Sequence, residues 1–129
     1  MIRDLREEDV LDLIAIHRAN GLPANCLPAF SHPLFAVKRI VDIEGKLAMG
    51  GFLKVTSEVY LLLDHTVGSP EERMEWLREL SKDLEKCAFE KGLEDLTLWV
   101  PPEVESSFGK RLEDLGYRKS PWSSYTLKL

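Results

Sequence analysis

The sequence predicts an α/β protein: a single three-layer α-β-α domain over residues 1–129, built on a mixed, mostly antiparallel sheet of six to seven strands. Three observations lead there. Leu34 to Thr56 reads as two strands rich in β-branched and aromatic residues around a Glu44-Gly45 turn. Glu58 to Val67 is apolar on both faces through Tyr60, Leu61, Leu62 and Leu63, the pattern of a central covered strand, and it leads through a long helix to another strand. Trp122 to Leu129 alternates as an antiparallel closing strand does.

Taken in order, Ile2 to Leu5 is a short first strand. Glu7 to Asn20 is a helix: Val10, Leu13, Ile14 and His17 recur at helical spacing, and Glu7, Glu8 and Asp9 place carboxylates at the positive end of the dipole. Gly21 and Pro23 stop it. Asn20 to Pro33 carries Pro23, Pro28 and Pro33 and is a loop that can hold one helical turn. The hairpin Leu34 to Ile43 and Lys46 to Thr56 follows, with Gly50 and Gly51 marking a bulge or a close backbone approach in its second strand. Pro70 to Lys91 is the longest helix, with Leu77, Leu80, Leu84 and Ala88 as its core stripe, widened by Met74, Trp76 and Cys87. Gly92 ends it. Asp95 to Val100 is a strand broken by Pro101-Pro102. Glu103 to Leu115 is the last helix, ended by Gly116, and Tyr117 begins the closing strands.

Composition narrows the class. At 129 residues with 44% hydrophobic and 30% charged residues, the chain is an ordinary globular length and mixture. A net charge of -5 and a pI near 5.2 argue against nucleic acid or an anionic membrane as partner. The N-terminus has mixed charges rather than a basic stretch followed by an apolar one, and the longest apolar run, Val59 to Leu63, is too short to span a bilayer; a cytoplasmic protein is expected. Cys26 and Cys87 lack any paired spacing and read as reduced thiols. His17, His32 and His65 are too scattered to suggest a metal site. There is no Gln and only Asn20 and Asn25, a mild thermophile-like signature.

The start of the long helix has its own grammar. In Ser69-Pro70-Glu71-Glu72, Ser69 is the N-cap, Pro70 takes the first helical position, and Glu72 can reach back to the Ser69 amide. Such a start satisfies its own free amides. Trp76 and Trp99 are expected in the core. Trp122, between Pro121 and Ser123, is the aromatic expected to be exposed and to serve an interface.

Several strings, taken in order, resemble the GNAT-type acyl-CoA N-acyltransferases across nearly the whole chain. Ile2-Arg3 with Glu7-Glu8-Asp9-Val10 resembles the family's opening strand and helix. Val41 to Phe52, with its turn glycine and strand glycines, resembles its hairpin. Leu115-Gly116-Tyr117 with Tyr125-Thr126-Leu127 resembles its last helix and closing strands. The resemblance implies an acetyl-CoA-dependent N-acetyltransferase acting on a small-molecule amine or a peptide. It places the catalytic base at His65 or Asp64, the cofactor arm on the main chain around Leu63, His65 and Val67, and a phosphate-facing cation at Arg73. The family's glycine-rich pyrophosphate loop falls on Glu72-Arg73-Met74-Glu75-Trp76-Leu77, where large side chains fill both glycine positions and Glu72 replaces the opening Gln or Arg. The family's thiolate-protonating tyrosine falls on Leu112, and its upstream asparagine near Glu105. One helix precedes the Asn20 to Pro33 loop where the family commonly has two, so an acceptor groove is expected to be open, or completed by another chain as in a homodimer. The alternative implied by these departures is a catalytically inactive binding or scaffold module.

Overall fold

The computed structural model describes residues 1–129. The chain divides into two compact units, Met1–Thr56 and Ser57–Leu129.

The first unit is a three-stranded antiparallel sheet carrying one helix. Strand β1 (Ile2–Asp4) pairs with β2 (Phe35–Ile43), and β2 pairs with β3 (Lys46–Lys54). The hairpin turn puts Glu44 at φ 54° and Gly45 at φ 82°. Two successive left-handed residues match the right-handed twist of the flanking strands, and the Asp42 carboxylate holds the turn by accepting the Gly45 amide at 2.8 Å. Helix α1 (Asp9–Ala19) buries Leu13 against Ile40 and Leu47, with Leu5, Ile16, Phe30 and Phe52 around them. Gly50 is needed there for space: a Cβ would lie 2.8 Å from Leu13 Cδ2 and 2.9 Å from Phe52 Cζ. Of the two readings of the glycine pair, this is the close approach; the register shifts of the hairpin fall at Phe35/Val37 and Val41/Asp42 instead. The proline loop holds one turn of 3₁₀ helix at Ala24–Cys26.

The second unit joins β4 (Glu58–Val59) through α2 (Pro70–Glu90) to β5 (Thr97–Leu98), its parallel neighbour, and then runs into α3 (Pro102–Asp114). Val59, Leu61 and Leu98 point to one side, where they meet Leu77 and Leu84 of α2 and Leu112 of α3 in one apolar cleft. Both long helices end the same way. Gly92 and Gly116, at φ 76° and 96°, let the following amides turn back, so that Leu93 donates to the Ala88 carbonyl and Tyr117 to the Leu112 carbonyl, each at 3.0 Å.

The predicted three-layer domain on one sheet of six to seven strands is not what forms. There is a three-stranded antiparallel sheet and a separate two-stranded parallel pair. The expected strands Glu58 to Val67 and Asp95 to Val100 keep only Glu58–Val59 and Thr97–Leu98 in a ladder. The ladder stops at Val59 and Leu98, two residues short of Pro101 and Pro102, which bar any further extension of β5, and the apolar run beyond Val59 alternates instead of being covered on both sides: Leu61 turns inward while Tyr60 and Leu62 face water. The expected closing strands are missing as well. The Tyr117 amide is committed to the end of α3, and Trp122 to Leu129 forms no ladder. No helix is long and apolar enough to cross a membrane.

Candidate functional site

The residues singled out for chemistry gather at the turn between β4 and α2. After Val59 the chain runs extended to Asp64, turns through His65 and Thr66, and enters α2 at Pro70. Asp64 shapes the turn: its Oδ1 accepts the Thr66 amide at 2.8 Å and the Thr66 hydroxyl at 2.6 Å. These two bonds hold the Asp64 carboxyl below the usual carboxylate range, so it is ionised at neutral pH and weakly basic. His65 is exposed, and so are Leu63 and Val67.

The helix start closes on itself. The Ser69 hydroxyl accepts the Glu72 amide at 3.1 Å, and Glu72 Oε2 accepts the Ser69 amide at 2.7 Å, with Pro70 contributing no N–H. This is the reciprocal arrangement read from Ser69-Pro70-Glu71-Glu72. The Arg73 guanidinium turns back and donates to the carbonyls of His65, Val67 and Gly68 at 3.2, 3.3 and 2.5 Å. Gly68, at φ 70°, has the Trp76 ring directly against the position its Cβ would take, and Glu72 Oε2 lies 3.3 Å from that position.

The structure therefore brings Asp64, His65, Val67 and Arg73 into one turn, while Leu63 stays outside its bonds. Sequence reasoning missed Gly68 and Thr66, and placed Trp76 in the core although it is 45% exposed and packs on this turn. A glycine just ahead of an N-cap serine was the available signal for a left-handed turn there.

The turn does not fit a pyrophosphate. The amides of Ser69 and Glu72 are already bonded, Pro70 has none, and the carboxylates of Glu71 and Glu72 stand in the first turn where an anion would need positive potential. The nearby cation is spent on backbone carbonyls. The carbonyls of His65 and Val67 that would have held a cofactor arm are the ones Arg73 occupies. Leu112, at the position implied for an acid, is buried in the apolar cleft.

Two polar clusters lie elsewhere. In the first unit Arg3 binds Asp9 through both terminal nitrogens at 2.7 and 2.8 Å and Asp42 through Nε at 2.9 Å, with the Arg6 amide also donating to Asp9. The Arg3 guanidinium holds Asp9 down to about 2 and lowers Asp42 as well. In the second unit Glu58 accepts from the Tyr60 hydroxyl at 2.8 Å and from the Trp99 indole at 3.2 Å. The carboxylate raises the Tyr60 phenol above its ordinary value. No group of three or more His, Cys, Asp or Glu side chains is arranged to hold a metal ion, and both cysteines are free thiols.

No protein-family model, curated protein or solved structure matches this chain.

Proposed function

We propose that this protein is a non-catalytic binding or scaffold module related in sequence pattern to the acyl-CoA N-acyltransferases. The observation that carries the reading is the α2 start: the Glu72 carboxylate sits on the Ser69 amide, so the helix terminus is neutralised by the chain's own acid. Arg73 bound to three carbonyls and Trp76 over Gly68 support it, because both fill space that a cofactor phosphate or its arm needs.

A second reading, an acetyl-CoA-dependent N-acetyltransferase for an amine or peptide, has one observation in its favour. The order β1, α1, β2, β3, β4, α2, β5, α3 follows the predicted order up to the last helix, with Asp64 and His65 just beyond β4. On that reading His65 is the better base, since Asp64 is held acidic by Thr66.

Calorimetric titration with acetyl-CoA and with CoA separates the two. The module reading expects no heat and no thermal shift at millimolar ligand. Micromolar binding together with acetylation of a small-amine or peptide panel, lost in His65→Ala, would overturn it in favour of the enzyme.

A further inference from the structure

The chain holds two asparagines and no glutamine, and one of the two is followed by glycine: Asn20-Gly21, against Asn25-Cys26. In an Asn-Gly pair the glycine amide nitrogen can attack the asparagine Cγ uncrowded by any side chain of its own. The pair lies where α1 hands over to the proline loop. Asn20 caps the helix at φ -78° and ψ -5°, and Gly21 takes a left-handed φ of 68°. That φ favours glycine, so the way the helix ends itself sets the reactive sequence. The amides there are occupied: Gly21 donates to the Arg18 carbonyl and Asn20 to the Ile16 carbonyl, each at 3.0 Å. His17 Nε2 donates to the Pro23 carbonyl at 2.9 Å and ties the chain after Gly21 back to the last turn of α1. Asn20 and Gly21 are both exposed, so water reaches them.

We propose that Asn20 is a self-modification site, converted to aspartate and isoaspartate through a succinimide, and that the α1 cap is the gate on the reaction. The Gly21 nitrogen gives its proton to a base from solvent and bonds to Asn20 Cγ, and the bond from Cγ to Nδ2 breaks to release ammonia. Water then opens the imide: breaking the bond from nitrogen to Cγ leaves aspartate, and breaking the bond from nitrogen to the main-chain carbonyl leaves isoaspartate. Ring closure needs a free Gly21 N–H and an Asn20 backbone turned away from its helical ψ. The folded cap denies both, because the amide is bonded to Arg18 and ψ is held at -5°. Attack therefore proceeds from the opened cap, and its rate follows the population of that local opening. Either product places a carboxylate at the negative end of the α1 dipole, and isoaspartate also lengthens the main chain by one methylene, so the modified cap closes less well and the step runs one way. The loop that leaves this cap carries Phe30, whose ring lies 4.9 Å from that of Phe52 at the core of the first unit.

Incubation of the full chain at mildly alkaline pH, in buffer and in guanidinium chloride, tests it. Digestion and fragment mass spectrometry then read the mass shift of amide-to-acid conversion at Asn20 and at Asn25 separately. Asn20 is expected to convert faster than Asn25 in denaturant, and on the order of tenfold or more slowly in buffer than in denaturant, the factor that one backbone hydrogen bond supplies. His17→Ala, with unchanged circular dichroism, is expected to convert Asn20 faster in buffer and at the wild-type rate in denaturant. A wild-type rate in buffer overturns the part of the gate assigned to the His17 bond. Hydrogen exchange of the Gly21 amide reads the gate without any substitution: protection is expected, and an unprotected amide overturns it. Asn20 conversion as fast in buffer as in denaturant overturns the gate as well. No conversion at Asn20 in denaturant, or conversion led by Asn25, overturns the site.

Discussion

Arg3 and Asp9 show how far a single residue's role can lie from its local pattern. Asp9 sits among Glu7 and Glu8 in a run that reads as solvated dipole-facing acid, yet it is buried at 5% exposure and takes three hydrogen bonds. Its main partner is six residues away and the third member, Asp42, is 39 residues from Arg3, a separation no local pattern encodes. Asp9 and Asp42 both titrate lower in the fold than in the unfolded chain, so their contribution is complete above the unfolded carboxylate range near pH 4 and falls away as pH drops towards 2. Circular-dichroism melts between pH 2 and pH 7 should show wild-type melting temperature falling steeply below pH 4. Asp9→Asn should melt roughly 10 °C lower at pH 7, because Arg3 loses its main partner, with a shallower acid dependence. Equal slopes for the two proteins would show that the network does not set acid stability.

Among the elements, α2 was the most legible. Ser69, Pro70 and Glu72 lie within one turn, so their mutual bonds follow from spacing alone, and the structure forms them as read. Ser69→Ala should cost about 1 kcal/mol in urea unfolding by removing the cap. Gly68→Ala should cost more, about 1–2 kcal/mol from the left-handed backbone alone, with the displacement of Trp76 added. If Gly68→Ala proves as mild as Ser69→Ala, Trp76 does not close the turn. The strands were less legible. Hydrophobic alternation marks which residues can pair, but a strand exists only where a neighbour supplies the ladder. Tyr60–Leu63 and the closing segment have the pattern of strands but no paired neighbour, so neither forms a ladder. Trp76 was misplaced for a similar reason: its helical spacing fits the core stripe, while Gly68 draws it to the turn.

At the scale of the whole molecule, both units leave large apolar side chains in water, Ile2, Leu11, Met49 and Leu53 in the first and Tyr60, Leu62, Trp99, Trp122 and Tyr125 in the second, but the tryptophans all lie in the second. Trp76, Trp99 and Trp122 are 45%, 60% and 69% exposed in a single chain, so tryptophan emission at high dilution should be red-shifted and readily quenched by acrylamide. Blue-shifted emission that acrylamide quenches poorly at high dilution would show that these rings are covered in solution.

Order and type of the helices, the hairpin with its Glu44-Gly45 turn, and the capped start of α2 follow from residues close in the chain, because turn chemistry, capping and helical periodicity act within a few positions. How many strands share a sheet, which face of β4 is covered, and whether Asp9 is a solvated acid or a buried ion-pair partner do not follow in that way. Each depends on groups brought together from distant positions, which no local spacing encodes. The candidate site divides along the same line: its residue types and capping were visible in the sequence, but only the folded turn spends Arg73 and the amides of Ser69 and Glu72 on the chain itself.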